Sequence, residues 1–359
     1  MEVKLNEAQL GIVDGMIDWV RVVDKNNVVL YANKKMKEDL GDIVGRRCYD
    51  VFCTGKNCEN CISRTTIEKK VILKKEACIG NRTFMVVSSP IQDYTGEVAC
   101  SVEVFRDITK EKDLAKKINE KNKKMSDDIK FARSMQMRML PPKGMYNGLS
   151  IDYLYESSES LSGDFFDVFK IDEENTGVYI CDVVGHGVSA SLLTVFVRQS
   201  LRTIAKGSMS LNKIMKELHK TFLSLNLDYD KYFSVFLGVY NKGTHDFNYV
   251  NAGHNSEPIL LRRNKDINLL NSKGYPIANI FDNVNYDVNK LNLDIGDKLF
   301  LYTDGITEAT NEDNQQFGIE RLVNIIKKEG NILSSLKSSL DDYCKFHKDD
   351  YAILMSEII

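Results

Sequence analysis

The sequence predicts an α+β protein of two domains joined by one long helix. Three observations lead there. The chain has 359 residues, more than one ordinary core holds at roughly 150 residues per domain. Short β-rich runs and helical patterns occur on both sides of its middle. Between them, residues 110–140 contain no Gly or Pro and carry ten Lys or Arg against five Asp or Glu.

Residues 1–109 form the first predicted domain. β-rich runs stand at 19–23, 28–31, 83–89 and 98–105, with helical stretches in between. Gly80-Asn81 and Thr95-Gly96 punctuate the later runs as turns. Residues 110–142 form the linker. In it Ile118, Asn122, Met125, Ile129, Ala132, Gln136 and Met139 step by fours and threes, the spacing of a coiled-coil seam. Polar Asn122 and Gln136 in that seam would fix register and strand number, and a homodimer through residues 115–139 is expected. Pro141-Pro142 stops the helix. Residues 143–359 form the second domain. Its β-like runs are 149–155, 178–181, 233–240, 247–251, 259–261, 298–302 and 352–356, and its helical patterns are 188–206, 210–226, 318–328 and 332–346.

Composition excludes several classes. The 48 Lys and Arg nearly balance 51 Asp and Glu, which argues against a nucleic-acid partner. No apolar run reaches the ~18 residues of a membrane span. The first ten residues carry Glu2 and Glu7 and lack a signal-peptide layout. A cytoplasmic protein is expected, whose eight cysteines are reduced thiols or metal ligands. A nucleotide hydrolase or phosphodiesterase is the rival enzyme reading. No Walker glycine loop and no His-Asp metal pair stands out in its favour.

Four aspartate clusters stand at the ends of predicted strands: Asp164 with Asp167, Asp182, Asp304, and Asp349-Asp350. Carboxylates at strand ends can converge on one edge of a sheet, and oxygen-rich clusters suit Mg²⁺ or Mn²⁺. Gly185 and Gly187 flank His186 in a turn that needs positive φ or close backbone approach, and Gly305 follows Asp304 in the same way. The Val183 carbonyl could join the coordination sphere. Any one Asp-Gly or Gly-His-Gly is ordinary turn text; four acidic strand ends in one domain are not.

The runs Ser162-Gly163-Asp164-Phe165-Phe166-Asp167, Asp182-Val183-Val184-Gly185-His186-Gly187, Asn251-Ala252-Gly253-His254-Asn255, Tyr302-Thr303-Asp304-Gly305 and Asp349-Asp350 occur in the order of a known family. Residues 145–359 resemble the SpoIIE-like branch of the metal-dependent PPM protein serine/threonine phosphatases. The resemblance implies two central antiparallel sheets sandwiched by helices, an α-β-β-α fold. It also implies two Mn²⁺ or Mg²⁺ ions. Asp182 would bridge them with help from the Val183 carbonyl, Asp164 would help hold one, and Asp304 and Asp349 the other. A water between the ions would attack phosphorus in line. Ser162, Val184 and Ala352 depart from the family's usual Gly, Ser and Thr, which leaves the register between Asp349 and Asp350 open. Asp167 stays open between a helper beside the metal ligands and a structural acid. His186 and His254 read as turn residues that could also orient substrate or water.

In the first domain, Trp19 to Asp24, Leu30-Tyr31-Ala32-Asn33, Gly45 to Phe52 and Phe105-Arg106-Asp107-Ile108-Thr109 resemble a PAS sensory domain, an α/β unit. Cys48, Cys53, Cys58 and Cys61 lie within fourteen residues, and the last two have the gap of a metal knuckle. Zinc, an iron–sulfur cluster, redox thiols and plain packing are the readings. Cys78, Cys100, Cys181 and Cys344 read as core. The helix, with its imperfect seam, is expected to transmit a signal from the sensor to the metal site. Family resemblance implies a phosphoprotein substrate, a small anti-sigma-factor antagonist.

Overall fold

The computed structural model describes residues 7–52, 61–93, 95–158, 160–207, 210–281, 284–328, 330–344 and 349–359. Its contacts divide into two compact units, Met1–Lys124 and Met125–Ile359. Among the described residues no helix is long and apolar enough to cross a membrane.

The first unit runs α1 (Glu7–Asp14), β1 (Trp19–Asp24), β2 (Val29–Ala32), α2 (Lys34–Leu40), α3 (Cys48–Phe52), α4 (Ile62–Lys69), β3 (Leu73–Ile79), β4 (Arg82–Gln92) and β5 (Val98–Asp107). The strands form one antiparallel sheet in the order β2-β1-β5-β4-β3. Helices sit between β2 and β3, as a PAS-like sensor requires. Asn33 begins α2: its Oδ1 accepts from Met36 N–H, a helix cap, and from Val20 N–H, which ties the helix to β1. Gly80 at φ 59° makes the two-residue turn from β3 to β4. Trp19 stacks on Phe84 at 4.5 Å, and its indole N–H reaches Asp39 at 3.0 Å. These rings pack with Val23, Val29, Met36 and Phe105 as one core. Cys100 is buried, as expected, but Cys78 is exposed. β3 is an edge strand, and Cys78 points away from the face that Ala77 and Ile79 turn inward.

The linker is a single helix, α5 (Thr109–Met139). Its predicted seam does not keep one character. Ile118 and Met125 are exposed, whereas Gln136 is only 4% exposed and Met139 packs on the second unit's core beside buried Leu140. Gln136 was expected in a coil interface. It is instead a docking residue, because its amide finds backbone partners within the second unit.

The second unit begins with β6 (Gly144–Tyr146), β7 (Leu149–Glu156), β8 (Asp164–Lys170) and β9 (Asn175–Val183). Next come α6 (Gly187–Ala205), α7 (Leu211–Leu223), β10 (Tyr232–Asn241), β11 (Asp246–Ala252), β12 (Ile259–Leu261), β13 (Ile267–Leu269), β14 (Ile277–Ala278) and β15 (Asn289–Asn292). It closes with β16 (Lys298–Tyr302), α8 (Asp304–Thr307), α9 (Gly318–Ile326), α10 (Ile332–Tyr343) and β17 (Tyr351–Ile358). One antiparallel sheet is ordered β15-β11-β10-β9-β8 with β14 on β10, the other β13-β12-β16-β17-β7-β6. Phe166, Ile180, Leu299, Leu301 and Leu354 belong to one core shared by the two sheets. Buried Leu201, Leu218 and Phe222 of α6 and α7 join that core, while Leu322, Ile326, Leu336 and Leu340 of α9 and α10 cover Phe300 and Ile353 of the other sheet. The result is the α-β-β-α sandwich that the resemblance implies. The sequence placed Asp164 at a strand end but assigned no β-like run to 164–170, the span of β8. Its run Phe165-Phe166-Asp167-Val168-Phe169 is buried at every position, so the alternation that marks a half-exposed strand is missing.

Phe84 is 1% exposed beneath Trp19, the chain's only Trp. Phe84→Ala is expected to destabilise the first unit by about 3–5 kcal/mol. Urea unfolding followed by Trp19 fluorescence checks this; an unmoved midpoint would refute it.

Candidate active site

The four strand-end acids come from both sheets. Asp164 opens β8 and is in direct register with Asp182 on β9. Opposed residues in an antiparallel pair lie about 5 Å apart at Cα, and like charges there repel. In the other sheet Asp304 follows β16 and Asp349 precedes β17, two strands paired at Tyr302 and Ile353. Asp182, Asp304 and Asp349 line one cleft of about 580 Å³, together with Val183, Gly185, His186, Tyr232, Ser234, His254, Asn255 and Ser256.

Local backbone chemistry makes this convergence possible. Gly185 and Gly187 take positive φ, 89° and 76°. Gly163 needs closeness rather than φ: a Cβ there would stand 2.8 Å from Gly185 O and 2.9 Å from Val183 O. A Cβ on Gly305 would run into the Asp350 carbonyl. His254 is buried and lies 2.9 Å from Tyr302 O through Nε2, so that nitrogen donates and Nδ1 accepts from the Ser234 hydroxyl at 3.4 Å. Burial holds its pKa down to about 4, so it stays neutral. It ties the Asn251–Asn255 turn to the strand that delivers Asp304. Asn251 closes the same turn, accepting from His254 N–H at 2.7 Å and donating to His254 O at 2.9 Å. His186, at the start of α6, is exposed and lines the cleft.

The electrostatics are those of acids crowded together. Burial first, then the carboxylates of Asp304, Asp349 and Asp350, push Asp182 up to about 7. Burial and then Asp182, Asp350 and Asp304 raise Asp164 well above the carboxylate range, against the pull of the Thr303 hydroxyl. Burial, Glu308 and Asp349 raise Asp304. Asp164 Oδ2 is buried with no hydrogen-bond partner. No Lys or Arg is found among the described residues that line the cleft. An acid set with an orphaned oxygen and no side-chain cation is the complement of hard divalent cations, so the donors fit Mg²⁺ or Mn²⁺. Among the described residues no three His, Cys, Asp or Glu side chains close into a compact cage. Asp182, Asp304 and Asp349 line the cleft from two sheets instead, and Asp164 stands buried beside Asp182 rather than on the cleft wall.

Asp349 and Asp350 divide. Asp350 is 5% exposed. Its Oδ1 accepts from Ser158 N–H at 2.8 Å and the Ser158 hydroxyl at 2.9 Å, and its Oδ2 accepts from Gly163 N–H at 2.8 Å. The geometry therefore puts Asp350, expected among the metal ligands, in the role of pinning the β7–β8 connection and leaves Asp349 facing the cleft. Asp167 also turns away: three residues from Asp164 on one strand, it points to the opposite face. There Arg202 grips it at 2.6 and 3.0 Å, and Arg198 stands at 3.3 Å. It is a structural acid between β8 and α6.

Sequence reasoning missed two supports. Thr303 Oγ1 accepts from Ala352 N–H at 2.9 Å, joining the strands that carry Asp304 and Asp349. Gln136 Nε2 donates to Ser162 O at 2.8 Å, and its Oε1 accepts from Ser162 N–H at 3.2 Å. The only signal was a polar residue in an apolar seam, which reads equally as a coil device. In the first unit, Cys48 is buried and Cys61 is half-buried with its thiol 3.5 Å from Asn27 Oδ1. Cys53 and Cys58 lie outside the described residues.

The fold and site define a class, that of PP2C-type phosphatase domains. The SiaA-PP2C domain of Pseudomonas aeruginosa superposes with a TM-score of 0.57 at 19% identity, covering 66% of this chain and 98% of that one. The phosphatase domain with a regulatory fragment of SpoIIE from Bacillus subtilis gives 0.52 at 12% identity over 80% and 82%. Residues 172–359 match the sequence profile of the family described as Stage II sporulation protein E (SpoIIE), and the chain belongs to that family. Two curated relatives from Bacillus subtilis (strain 168) are the phosphoserine phosphatases RsbP and RsbU. RsbP is 29% identical over 51% of this chain and 46% of its own length; RsbU is 27% identical over 53% and 56%. The chain thus spans about half the length of the curated relatives it matches.

The division of the acidic pair is testable by thermal melting in chelator. Asp350→Asn should lower stability by about 1–3 kcal/mol, since it weakens charge-assisted hydrogen bonds. Asp349→Asn should leave the melting temperature unchanged or raised, because the amide oxygen can keep the bond from Asp350 N–H at 2.8 Å while the repulsion on Asp182 and Asp304 is removed. The reverse order would exchange their roles.

Proposed function

We propose that the chain is a metal-dependent protein phosphatase that hydrolyses phosphoserine or phosphothreonine on a partner protein, under the control of its first unit. The observation that carries this is the meeting of Asp182, Asp304 and Asp349 from two sheets on one cleft, with Asp164 buried beside Asp182, one of its carboxylate oxygens unpartnered, and no Lys or Arg among the described cleft-lining residues. A phosphoryl group entering such a cleft would be repelled unless metal ions neutralised both it and the acids. Asp182, with the Val183 carbonyl, and Asp164 would hold one Mn²⁺ or Mg²⁺; Asp182, Asp304 and Asp349 would hold the second. The pair of ions would supply Lewis acidity and activate the attacking water.

The chain's own residues do the positioning. His254 and Thr303 fix the strands that deliver Asp304 and Asp349. Asp350 and Gly163 set where β8 begins, and so where Asp164 stands. His186 and Asn255, on the cleft wall, would touch substrate. The names of RsbP and RsbU support phosphoserine as the target. In the family reading the partner is a small anti-sigma-factor antagonist.

Control would pass through α5. Gln136 holds the Ser162 backbone two residues before Asp164, and Arg198 joins Met139 O at 3.1 Å to Asp167 on β8. A shift of the helix end is therefore a shift of the strand that carries Asp164. Exposed Ile118 and Met125 support pairing of two chains through the 115–139 helix.

Purified full-length chain is expected to hydrolyse a phosphoserine protein or an aryl phosphate with added Mn²⁺ and to stop in chelator. Asp182→Asn should lose about 100-fold or more, since even partners behind metal ligands cost 10–100-fold. Turnover that ignores both chelator and this substitution would sink the proposal. Gln136→Ala should weaken the Mn²⁺ requirement constant by about tenfold, while Asn122→Leu should not move it; equal effects of the two would remove Gln136 from the control route.

A further inference from the structure

The first unit contains a cavity of about 340 Å³, at the small end of the range for small-molecule sites. Its described walls include Arg21, Phe52, Ile62, Ala77, Val86 and Phe105. Most of that surface is apolar; Arg21, Ser63, Lys75 and Glu76 are the polar residues on it.

Arg21 is 6% exposed. Its Nε donates to Glu103 Oε2 at 2.7 Å, and Glu103 is fully buried. The other Glu103 oxygen accepts from the Ser63 hydroxyl. The guanidinium carbon lies 4.6 Å from the Phe52 ring centre and 4.9 Å from that of Phe105. One ion-pair bond and two rings thus hold the fork in place. Yet Arg21 Nη1 is buried without a hydrogen-bond partner. Buried donors are almost always paired, so an orphaned one on a cavity wall asks for an acceptor inside the cavity.

The charge of the acceptor follows from what is already engaged. Glu103 is committed to Arg21 and Ser63. Glu76, also on the wall, pairs with Lys112 at 2.6 Å. Lys75, the other cation on the lining, also has a partner. A charged donor in an apolar chamber is best matched by an anion, and the planar fork matches a carboxylate. A phosphate dianion would need more donors than this wall offers.

We propose that this cavity binds a small monocarboxylic acid with an apolar body. Its carboxylate accepts from Arg21 Nη1, and its body packs against Phe52, Ile62, Val86 and Phe105. The site is separate from the phosphatase chemistry, and its occupancy is read without turnover, so failure here leaves the reading of the second unit untouched.

Calorimetric titration of the full-length chain with benzoate, phenylacetate and hexanoate tests the idea, beside benzamide, hexanamide and inorganic phosphate. At least one acid should bind saturably at one site per chain, with its amide about tenfold weaker or worse. Ala77→Leu fills the chamber without touching the ion pair and should weaken binding by at least about tenfold. Arg21→Lys keeps the charge but removes the fork and should do the same. Trp19 fluorescence melts show that each variant is folded. The proposal is overturned if no acid binds, if amides bind as well as acids, if phosphate alone binds, or if binding survives Ala77→Leu.

Discussion

Two aspartates facing each other across neighbouring strands repel, and the second unit is organised around that repulsion. Asp164 and Asp182 are directly opposed on β8 and β9. Asp304 and Asp349 add charge from the other sheet. Burial makes each carboxylate more costly to ionise, and the neighbours add to the cost. Such a cluster survives folding only if the surrounding backbone leaves it no other place. Gly163, Gly305 and the positive φ of Gly185 let the strand ends approach. Asp350, Thr303 and His254 then lock them with hydrogen bonds. In the reading proposed above a divalent cation would relieve that cost, so an arrangement that is poor for an apoprotein would favour bound metal.

That dependence also explains how a distant segment can matter. Asp164 stands where β8 begins, and the start of β8 is set by hydrogen bonds to Ser162 and Gly163. Gln136 holds the first and Asp350 the second. Arg198 links the end of α5 to Asp167 further along the strand. The helix end and the strand that carries Asp164 are therefore joined by hydrogen bonds and an ion pair. In the first unit a buried ion pair plays the comparable organising part: Arg21 and Glu103 join β1 to β5 and bring a charged fork to the wall of an apolar chamber.

Much of the site was legible in the sequence because its chemistry needs short, contiguous text. Gly185-His186-Gly187 must turn sharply, and Asp304-Gly305 must pass close to another backbone. Other features were not legible. β8 carries no alternation because both its faces are buried. Gln136 looked like a coil residue because periodicity reports which helix face is apolar, not what covers it. Cys78 looked like core because β-rich text does not say which strand lies at the edge.

By itself the sequence determined the α+β class and which acids are available to the candidate site, since each follows from local pattern and residue chemistry. Tertiary structure alone decided which of two adjacent aspartates meets the cleft, that Asp167 belongs to a buried ion pair, and that an arginine in the first unit keeps an unpaired donor. Those outcomes depend on partners more than thirty residues away, such as Arg202 for Asp167 and Gly163 for Asp350. Local pattern carries no record of which distant group will be opposite.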